Sequence, residues 1–483
     1  MSPVEKNYET VIGLEVHVEL ATKTKIFCGC STAFGGAPNS HSCPVCSGMP
    51  GSLPVLNRQV VQYAMEVGLA AHCEINQHCK FDRKNYFYPD NPQNYQISQL
   101  YEPICRNGWV EITKKDGTRK KIRIHEIHME EDAGKLVHDE FQGISYVDFN
   151  RSGVPLIEIV SEPDMRDDEE VIAYLEALRM IAQYTGASDC KLQEGSMRAD
   201  VNLSVREAGS EKLGTRTETK NLSSFAAISH MIKNERERQI DLLSSGQTVT
   251  QETRHWNEDA QSSYAMRSKE NAQDYRYFPD PDLPPVEISD EWIEETRKNL
   301  PEMQPERKAR YMRDYGLPAY DADLLTGTKR LADIFEETVK AGADPKKASN
   351  WLMVETMHLC RNTKTDPSDV DFSGENLAKL IHMVDAGELS NGSAKKIFEE
   401  IFEKDADPEK IAEERGMKIV QDSGALQETV KAVLEANPSV VQQYRDGKTK
   451  VAGFLVGQVM KQMKGRANPA EVSSMITGMI EKI

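Results

Sequence analysis

The sequence predicts an α+β fold in three consecutive parts. A β-rich domain takes residues 1–290, an all-α helical domain takes 291–405, and a small all-α tail takes 406–483. Before residue 290 the chain is rich in short runs in which apolar and polar residues alternate, as they do in strands. From residue 291 onward apolar residues recur every three or four positions, which is typical of helices. A break at DADP (405–408) separates the tail from the helices before it.

The first strand is predicted by VIGLEVHVEL (11–20), in which apolar residues alternate with other residues throughout. Successive side chains of a strand point to opposite faces, so Glu15, His17 and Glu19 share one face. A half-exposed strand whose polar face meets water has this pattern. A site built from several strands has it too, and two later segments favour the site.

Acidic residues return in two more strand-like segments. IRIHEIHMEEDAGK ends in a polar group that contains Glu130 and Glu131, and VPLIEIVSEPD holds Glu158 within an apolar run. An ionised carboxylate in such a run is costly unless it is paired or bound to a metal. Carboxylate oxygens suit a hard cation such as Mg²⁺, which serves phosphate substrates. A buried ion pair between Glu158 and Arg151 is the alternative.

The other elements follow from turn and capping residues. WVEITKKDGTRKKIRIHEI predicts a hairpin that turns at Asp116 and Gly117. Residues 199–207 and 215–222 predict two further strands, and the second leads into a helix capped by Ser223 or Ser224. Acids in the first turn and a glycine at the end predict another helix before them. That helix and the helices of the tail are predicted over residues 167–186, 425–436, 438–445, 448–463 and 469–482.

Composition limits the class of protein. A chain of 483 residues holds two to four domains of ordinary size. No stretch approaches the ~20 apolar residues that cross a bilayer, and the N-terminus is not a secretory signal, so we expect a soluble cytoplasmic protein. The formal charge of −18 argues against general nucleic-acid binding, which depends on dense positive charge. A local basic patch remains compatible with it.

Four of the nine cysteines form the pattern C-x-C-x12-C-P-x-C. In a chain with no export signal, such a cluster binds metal more often than it forms disulfides. Two close thiolate pairs supply four ligands to tetrahedral Zn²⁺, which leaves no open position and makes its role structural. Reduced thiols without a metal are the alternative. The predicted zinc ligands are Cys28, Cys30, Cys43 and Cys46.

The balance of charge changes sign in the tail. Residues 446–483 contain six Lys or Arg against three acids. Lys461, Lys464 and Arg466 lie beside glycines, which let a phosphate backbone approach closely. They are therefore candidates for binding nucleic acid, and a solvated helical face is the alternative.

Two proline-broken segments, 81–99 and 266–285, interleave cations with aromatic residues. Aromatic rings stack on a base or sugar while cations meet phosphate, so Lys84, Tyr86 and Arg276 are candidate nucleotide-binding residues. An aromatic-rich loop packed between subdomains is the alternative. The chain has no G-x-x-x-x-G-K-[ST] loop, so any use of ATP follows another design.

Seven motifs in series resemble one family. They are, in order, GLEVHVEL, KFDRKNYFYPDNP, HMEEDAGK, DFNRSGVPLIEIVSEPD, QEGSMRADVNLSVR, GTRTETKNLSSF and DYRYFPDPDLPP. Together they resemble the B subunit of the tRNA-dependent amidotransferases that make Gln-tRNA(Gln) and Asn-tRNA(Asn), over essentially the whole chain. The resemblance implies a β-rich cradle, a helical domain and a helical tail that binds tRNA.

The resemblance also implies a reaction. ATP phosphorylates the side-chain carboxylate of Glu-tRNA(Gln) or Asp-tRNA(Asn), and ammonia then displaces the phosphate to leave the amide. In this family the B subunit holds this site, an amidase-type A subunit hydrolyses glutamine to release ammonia, and a small C subunit clamps the two together. In agreement, this chain has neither a Gly/Ser-rich amidase stretch nor a Cys-His-Glu glutaminase pattern.

The family's metal ligands match positions of this chain. The implied Mg²⁺ ligands are His17, Glu131 and Glu158. Glu15 is a catalytic helper on the face of His17, and Lys84 is the candidate contact to phosphate. Glu130 is an alternative to Glu131, because sequence does not tell which of two adjacent acids points inward. Some family members lack the cysteine quartet, so zinc is expected to stiffen a loop and take no part in the chemistry. The rival interpretation is a tRNA-binding scaffold whose acids form structural ion pairs while a partner carries the chemistry.

Overall fold

The computed structural model describes residues 7–139, 141–191, 194–268, 274–419, 423–446, 448–463 and 467–481. The chain divides into two units, Met1–Met303 and Gln304–Ile483. The first mixes strands with helices and the second is helical, so the predicted α+β fold is confirmed. Among the described residues, no helix combines the length and the apolar character needed to cross a bilayer.

The first unit holds all the strands that the described residues form. In chain order they are β1 (Tyr8–Glu19), β2 (Glu74–Ile75), β3 (His78–Cys79), β4 (Asp82–Asn85), β5 (Tyr95–Ser98), β6 (Cys105–Thr113), β7 (Arg119–Glu131), β8 (Lys135–Asp139), β9 (Ile144–Asp148), β10 (Pro155–Ser161), β11 (Met197–Glu207), β12 (Thr217–Lys220), β13 (Glu252–Asn257), β14 (Ser262–Ser268), β15 (Phe278–Pro279) and β16 (Val286–Glu287). The helices of this unit are α1 (Arg58–Ala70), α2 (Asp168–Thr185), α3 (Phe225–Ser244) and α4 (Asp290–Asn299).

A large sheet organises this unit. Over the described residues its strand order is β14-β13-β12-β11-β1-β10-β7-β6-β2, so β1 lies near the middle, between β11 and β10. Neighbouring strands pair antiparallel except β12 and β13, which are parallel. Smaller sheets join β15-β4-β5, β16-β3 and β8-β9. The predicted hairpin is confirmed, because β6 pairs with β7 and Gly117 adopts the positive φ of +86° that its turn requires.

The apolar face of β1 packs into the core of the unit. Ile12, Leu14, Val16 and Val18 are buried and share one hydrophobic cluster with side chains of α1, α2 and α3. The predicted cap of α3 is Ser224, whose hydroxyl accepts from the backbone of α3, and Asp167 caps α2 in the same way. With the helices on its apolar side, the sheet presents Glu15 and His17 on the opposite face, where both are partly exposed.

The second unit contains two hydrophobic clusters among its described residues, one formed by side chains from Tyr311 to Ala412 and one by side chains from Leu426 to Ile480. A π-helical turn at Trp351–Thr356 links two helices of the first cluster. The helices are α5 (Gln304–Asp314), α6 (Ala319–Thr326), α7 (Lys329–Lys340), α8 (Pro345–Asn350), α9 (Met357–Thr363), α10 (Gly374–Asp385), α11 (Asn391–Lys404), α12 (Pro408–Glu414), α13 (Ser423–Ala436), α14 (Pro438–Arg445), α15 (Ala452–Gln462) and α16 (Pro469–Ile480). The domain boundaries at 290 and 405 stay predictions.

Candidate active site

Three neighbouring strands bring histidines and acids into one row on the polar face of the sheet. His17 on β1 lies opposite Glu158 on β10, and Glu158 lies opposite His128 on β7. His17 Nε2 is 3.6 Å from Glu158 Oε2 and 3.5 Å from Glu130 Oε1. His128 Nε2 is 2.8 Å from Glu158 Oε2. We call His17, Glu130 and Glu158, with His128 behind them, the acid cluster.

Charges within the acid cluster stabilise one another. Burial by itself raises the pKa of Glu158, but His128 and His17 outweigh it and hold this pKa well below its usual range. Burial by itself lowers the pKa of His128, but Glu158 and Glu130 outweigh it and raise this pKa to about 10. Glu158 is therefore ionised and His128 protonated at neutral pH. The alternative partner Arg151 lies elsewhere, since its guanidinium donates to the carbonyls of residues 133 and 134.

The predicted position of Glu131 beside His17 is corrected by the structure. Adjacent residues of β7 point to opposite faces, and Glu130 is the one that turns toward His17. The Glu131 carboxylate instead accepts from the backbone N–H of Ile97 at 3.0 Å and from Gln93 Nε2 at 3.2 Å. Burial raises the pKa of Glu131 to about 8. Among the described residues, one group of potential metal ligands on this face is therefore His17, Glu130 and Glu158.

Glu15 belongs to a second group on the same face. Its carboxylate lies with those of Asp200 on β11 and Glu218 on β12, all within 4.8 Å of one another. Asn202 Nδ2 donates to Glu15 Oε1 at 2.9 Å, and the ammonium of Lys220 pairs with Asp200 and, at 3.3 Å, with Glu218. Sequence reasoning missed Asp200 and Glu218, although both occupy alternating positions of strands that it predicted.

Lys84 on β4 interacts electrostatically with the acid cluster, and its contact to phosphate stays a prediction. Burial by itself lowers the pKa of Lys84, but Tyr277 and the carboxylates of Glu130 and Glu158 outweigh it and raise this pKa. Its Nζ also lies 5.0 Å from the centroid of the Tyr275 ring. Tyr277, which sequence reasoning did not single out as a site residue, is therefore a neighbour of the lysine.

The other two candidate nucleotide-binding residues lie near Lys84 in different ways. Tyr86 is partly buried and meets Tyr275 edge to face, with ring centroids 6.3 Å apart. Burial raises the pKa of Tyr86 to about 12. Arg276 is exposed, and its carbonyl accepts from Asn85 Nδ2 at 2.8 Å. Its role at a nucleotide stays a prediction.

The four clustered cysteines converge as a metal site requires. One sulfur from each of Cys28, Cys30, Cys43 and Cys46 lies within 4.8 Å of the others. Tetrahedral zinc with Zn–S bonds of about 2.3 Å separates its sulfurs by about 3.8 Å, and the Cys43 and Cys46 sulfurs are 3.9 Å apart. The hydrogen bond with Cys28 lowers the pKa of the Cys46 thiol to about 4. The donor set and spacing therefore fit Zn²⁺.

The predicted basic group of the tail is described in part. Lys461 lies in the last turn of α15 and is exposed. Lys464 and Arg466 lie outside the described residues.

Comparisons with known proteins show the family of this chain. The model of the GatB/GatE catalytic domain matches residues 10–294, and the model named GatB domain matches residues 333–480. The B subunit of the aspartyl/glutamyl-tRNA(Asn/Gln) amidotransferase of Agathobacter rectalis is 64% identical over 475 residues, which cover 98% of this chain and all of the relative. B subunits with the same name from Lachnospira eligens and Caldicellulosiruptor bescii are 64% and 53% identical, each over 99% of this chain and all of the relative. The resemblance found in the motifs is thereby confirmed: the chain belongs to the GatB family of amidotransferase B subunits.

Proposed function

We propose that this chain is the part of a tRNA-dependent amidotransferase that activates and amidates the aminoacyl group. ATP phosphorylates the side-chain carboxylate of Glu-tRNA(Gln), Asp-tRNA(Asn) or both, and ammonia then displaces the phosphate. The observation that carries the proposal is the acid cluster, in which ionised and protonated groups converge with Lys84 on the open face of the sheet. Membership of the GatB family supports it.

The chemistry explains why such a cluster is needed. A carboxylate is a poor electrophile, and making an acyl phosphate gives it a good leaving group. Phosphoryl transfer depends on charge neutralisation and alignment more than on covalent help from the protein. Mg²⁺ supplies both.

The residues of the acid cluster fit that cation. The separations of 3.5 and 3.6 Å from His17 Nε2 to the two carboxylates are close to the ~3 Å between adjacent ligands of octahedral Mg²⁺. His17, Glu130 and Glu158 would hold the metal, while His128 keeps Glu158 ionised and in place. Lys84 would bind a phosphate oxygen of ATP. Glu15, Asp200 and Glu218 offer oxygen ligands to a second cation on the same face.

Other parts of the reaction are assigned to other parts of the assembly. The chain contains no amidase or glutaminase pattern, so we propose that ammonia comes from a glutamine-hydrolysing A subunit held with a small C subunit. The tail, with Lys461, Lys464 and Arg466, would bind the tRNA. The cysteine cluster would hold a structural Zn²⁺. We propose that the protein works in the cytoplasm as an enzyme of translation.

Two substitutions separate this function from that of a non-catalytic scaffold. In the complex reconstituted with its partner subunits, and with ammonium chloride as the nitrogen source, Glu158→Gln should abolish amidation of each mischarged tRNA while tRNA affinity stays normal. Glu111→Gln, an exposed carboxylate on β6, is the matched control and should leave both unchanged. Normal amidation by Glu158→Gln would favour the scaffold, with the chemistry carried by a partner.

A further inference from the structure

A fully buried lysine lies beside the cysteine cluster. The Nζ of Lys25 donates to Cys46 Sγ at 3.5 Å and to the carbonyl oxygen of Phe149 at 3.1 Å, and none of the residue is exposed to solvent. Lysine is almost never fully buried unless it is paired, because removing an ammonium from water is costly. A carbonyl group is a neutral acceptor, so the charge that compensates this burial is expected on the sulfur side.

A metal-bound cysteine cluster supplies that charge. Four thiolates carry four negative charges and Zn²⁺ returns two positive ones, so the bound site has a net charge of about −2. The cluster is only partly open to solvent, and Cys46 is buried. An ammonium at 3.5 Å from one of the sulfurs brings the local charge to about −1. The backbone N–H of Cys43, which lies 3.2 Å from the same sulfur, adds a second donor.

Lys25 also contacts the segment that leads into β10. Residues 148–153 run from the end of β9 to just before β10, which carries Glu158. The Ser152 hydroxyl donates to the carbonyl of Cys46 at 3.1 Å, and Ile26 N donates to the carbonyl of Gly153 at 3.0 Å. Gly153 has a φ of +81°, and a Cβ there would lie 3.5 Å from both Cys46 Cβ and Lys25 Cδ. The segment is therefore packed against the lysine stem and the cysteine cluster together.

We propose that Lys25 is the charge partner of the metal-bound cysteine cluster. Because its ammonium also donates to the carbonyl oxygen of Phe149, Lys25 links the cluster to residues 148–153. Zinc binding therefore stabilises the segment that leads into β10. The inference rests on the zinc site proposed above. Lys25 is a positioning residue: it touches the sulfur of a ligand and a backbone carbonyl, and it takes no part in the reaction.

The test of the charge partner is zinc affinity. Lys25→Met keeps the length of the side chain and removes its charge, and Lys23→Met, an exposed lysine two residues earlier, is the matched control. In competition with a chromophoric chelator, the full-length Lys25→Met protein should bind zinc about 10–100-fold more weakly than wild type, since loss of a group that supports a metal ligand has effects of that size. Lys23→Met should match wild type. Equal affinity of Lys25→Met and wild type would overturn the inference, whereas failure of wild type to bind zinc would overturn the zinc site itself.

Hydrogen exchange of the wild-type chain with and without zinc tests whether zinc binding stabilises residues 148–153, and this comparison needs no variant. Zinc should slow amide exchange in residues 148–153, and in zinc-saturated Lys25→Met this slowing should be smaller. If amide exchange of residues 148–153 in wild type is the same with and without zinc, the proposed link between the cysteine cluster and this segment is refuted.

Discussion

His128 is the buried counter-charge of the acid cluster, and its replacement by glutamine has a calculable cost. Its Nε2 lies 2.8 Å from Glu158 Oε2, and only 8% of the residue is exposed. Removing one partner of a buried ion pair costs about 3–5 kcal/mol, because the other charge stays buried without compensation. We therefore expect His128→Gln to lower the free energy of unfolding of the first unit by about 3 kcal/mol or more at pH 7 without divalent cations.

The pH dependence of that loss has a definite sign. Burial lowers the pKa of His128, but Glu158 and Glu130 outweigh it and raise the pKa from 6.5 to about 10. A group whose pKa is raised on folding contributes its stability in full below the unfolded pKa and loses it as the pH rises through the folded pKa. In wild type the contribution should be complete below pH 6.5 and should decline toward about pH 10. His128→Gln should lack this decline.

Urea unfolding in the presence of EDTA, followed by tryptophan fluorescence, measures both effects. Trp109, Trp256 and Trp292 lie in the first unit and Trp351 in the second, so the signal reports mainly on the unit that carries the acid cluster. His125→Gln changes an exposed histidine of the same strand and should cost at most about 1 kcal/mol. A loss below about 1 kcal/mol for His128→Gln, with the pH dependence of wild type retained, would refute the proposed ion pair.

Three further changes test the other parts of the account. Glu130→Gln should reduce amidation by at least about 100-fold with tRNA affinity retained, because a metal contributes several kcal/mol of charge stabilisation to the transition state. Single-turnover kinetics measure this, and a near-normal rate would remove Glu130 from the ligand set. Lys84→Met should raise the KM for ATP and lower kcat, and unchanged steady-state constants would exclude a contact to phosphate. Lys461→Glu should weaken tRNA binding and should reduce the slope of log binding constant against log salt concentration by about 1. An unchanged slope in salt titrations would contradict a phosphate contact at Lys461.

The polar face of β1 is predictable from the sequence for a simple reason. Side chains of a strand alternate between its two faces. Because Ile12, Leu14 and Val16 are buried on one face, Glu15 and His17 must lie on the other. Turn and capping residues are equally local, and the Asp116-Gly117 hairpin and the Ser224 cap lie where their residue types predict.

The composition of the acid cluster depends on contacts that sequence does not display. Glu130 and Glu131 are adjacent acids at the end of β7, and a shift of one residue exchanges their faces. The pairing of β7 with β10 decides between them in favour of Glu130. Asp200 and Glu218 join Glu15 only because β11 pairs with both β12 and β1, and β1 is far from the other two along the chain.

Arg151 is a second example of a contact that the sequence does not display. Its position before Glu158 suggests an ion pair, but the chain turns between them. The arginine donates to the carbonyls of Ala133 and Gly134, while His128 from a neighbouring strand pairs with Glu158. Partners in a sheet are set by strand order, and strand order follows from the packing of the whole unit.

Phosphate transfer to the mischarged tRNA is the most direct test of the central claim, that the acid cluster of this chain activates the aminoacyl carboxylate. The reconstituted complex is mixed with Glu-tRNA(Gln) or Asp-tRNA(Asn) and γ-³²P-labelled ATP in the absence of glutamine and ammonia, and label on the aminoacyl group is counted in a single turnover. Wild type should label at least one of these tRNAs, and Glu158→Gln should label neither while binding both normally. Equal labelling by wild type and Glu158→Gln would contradict the account.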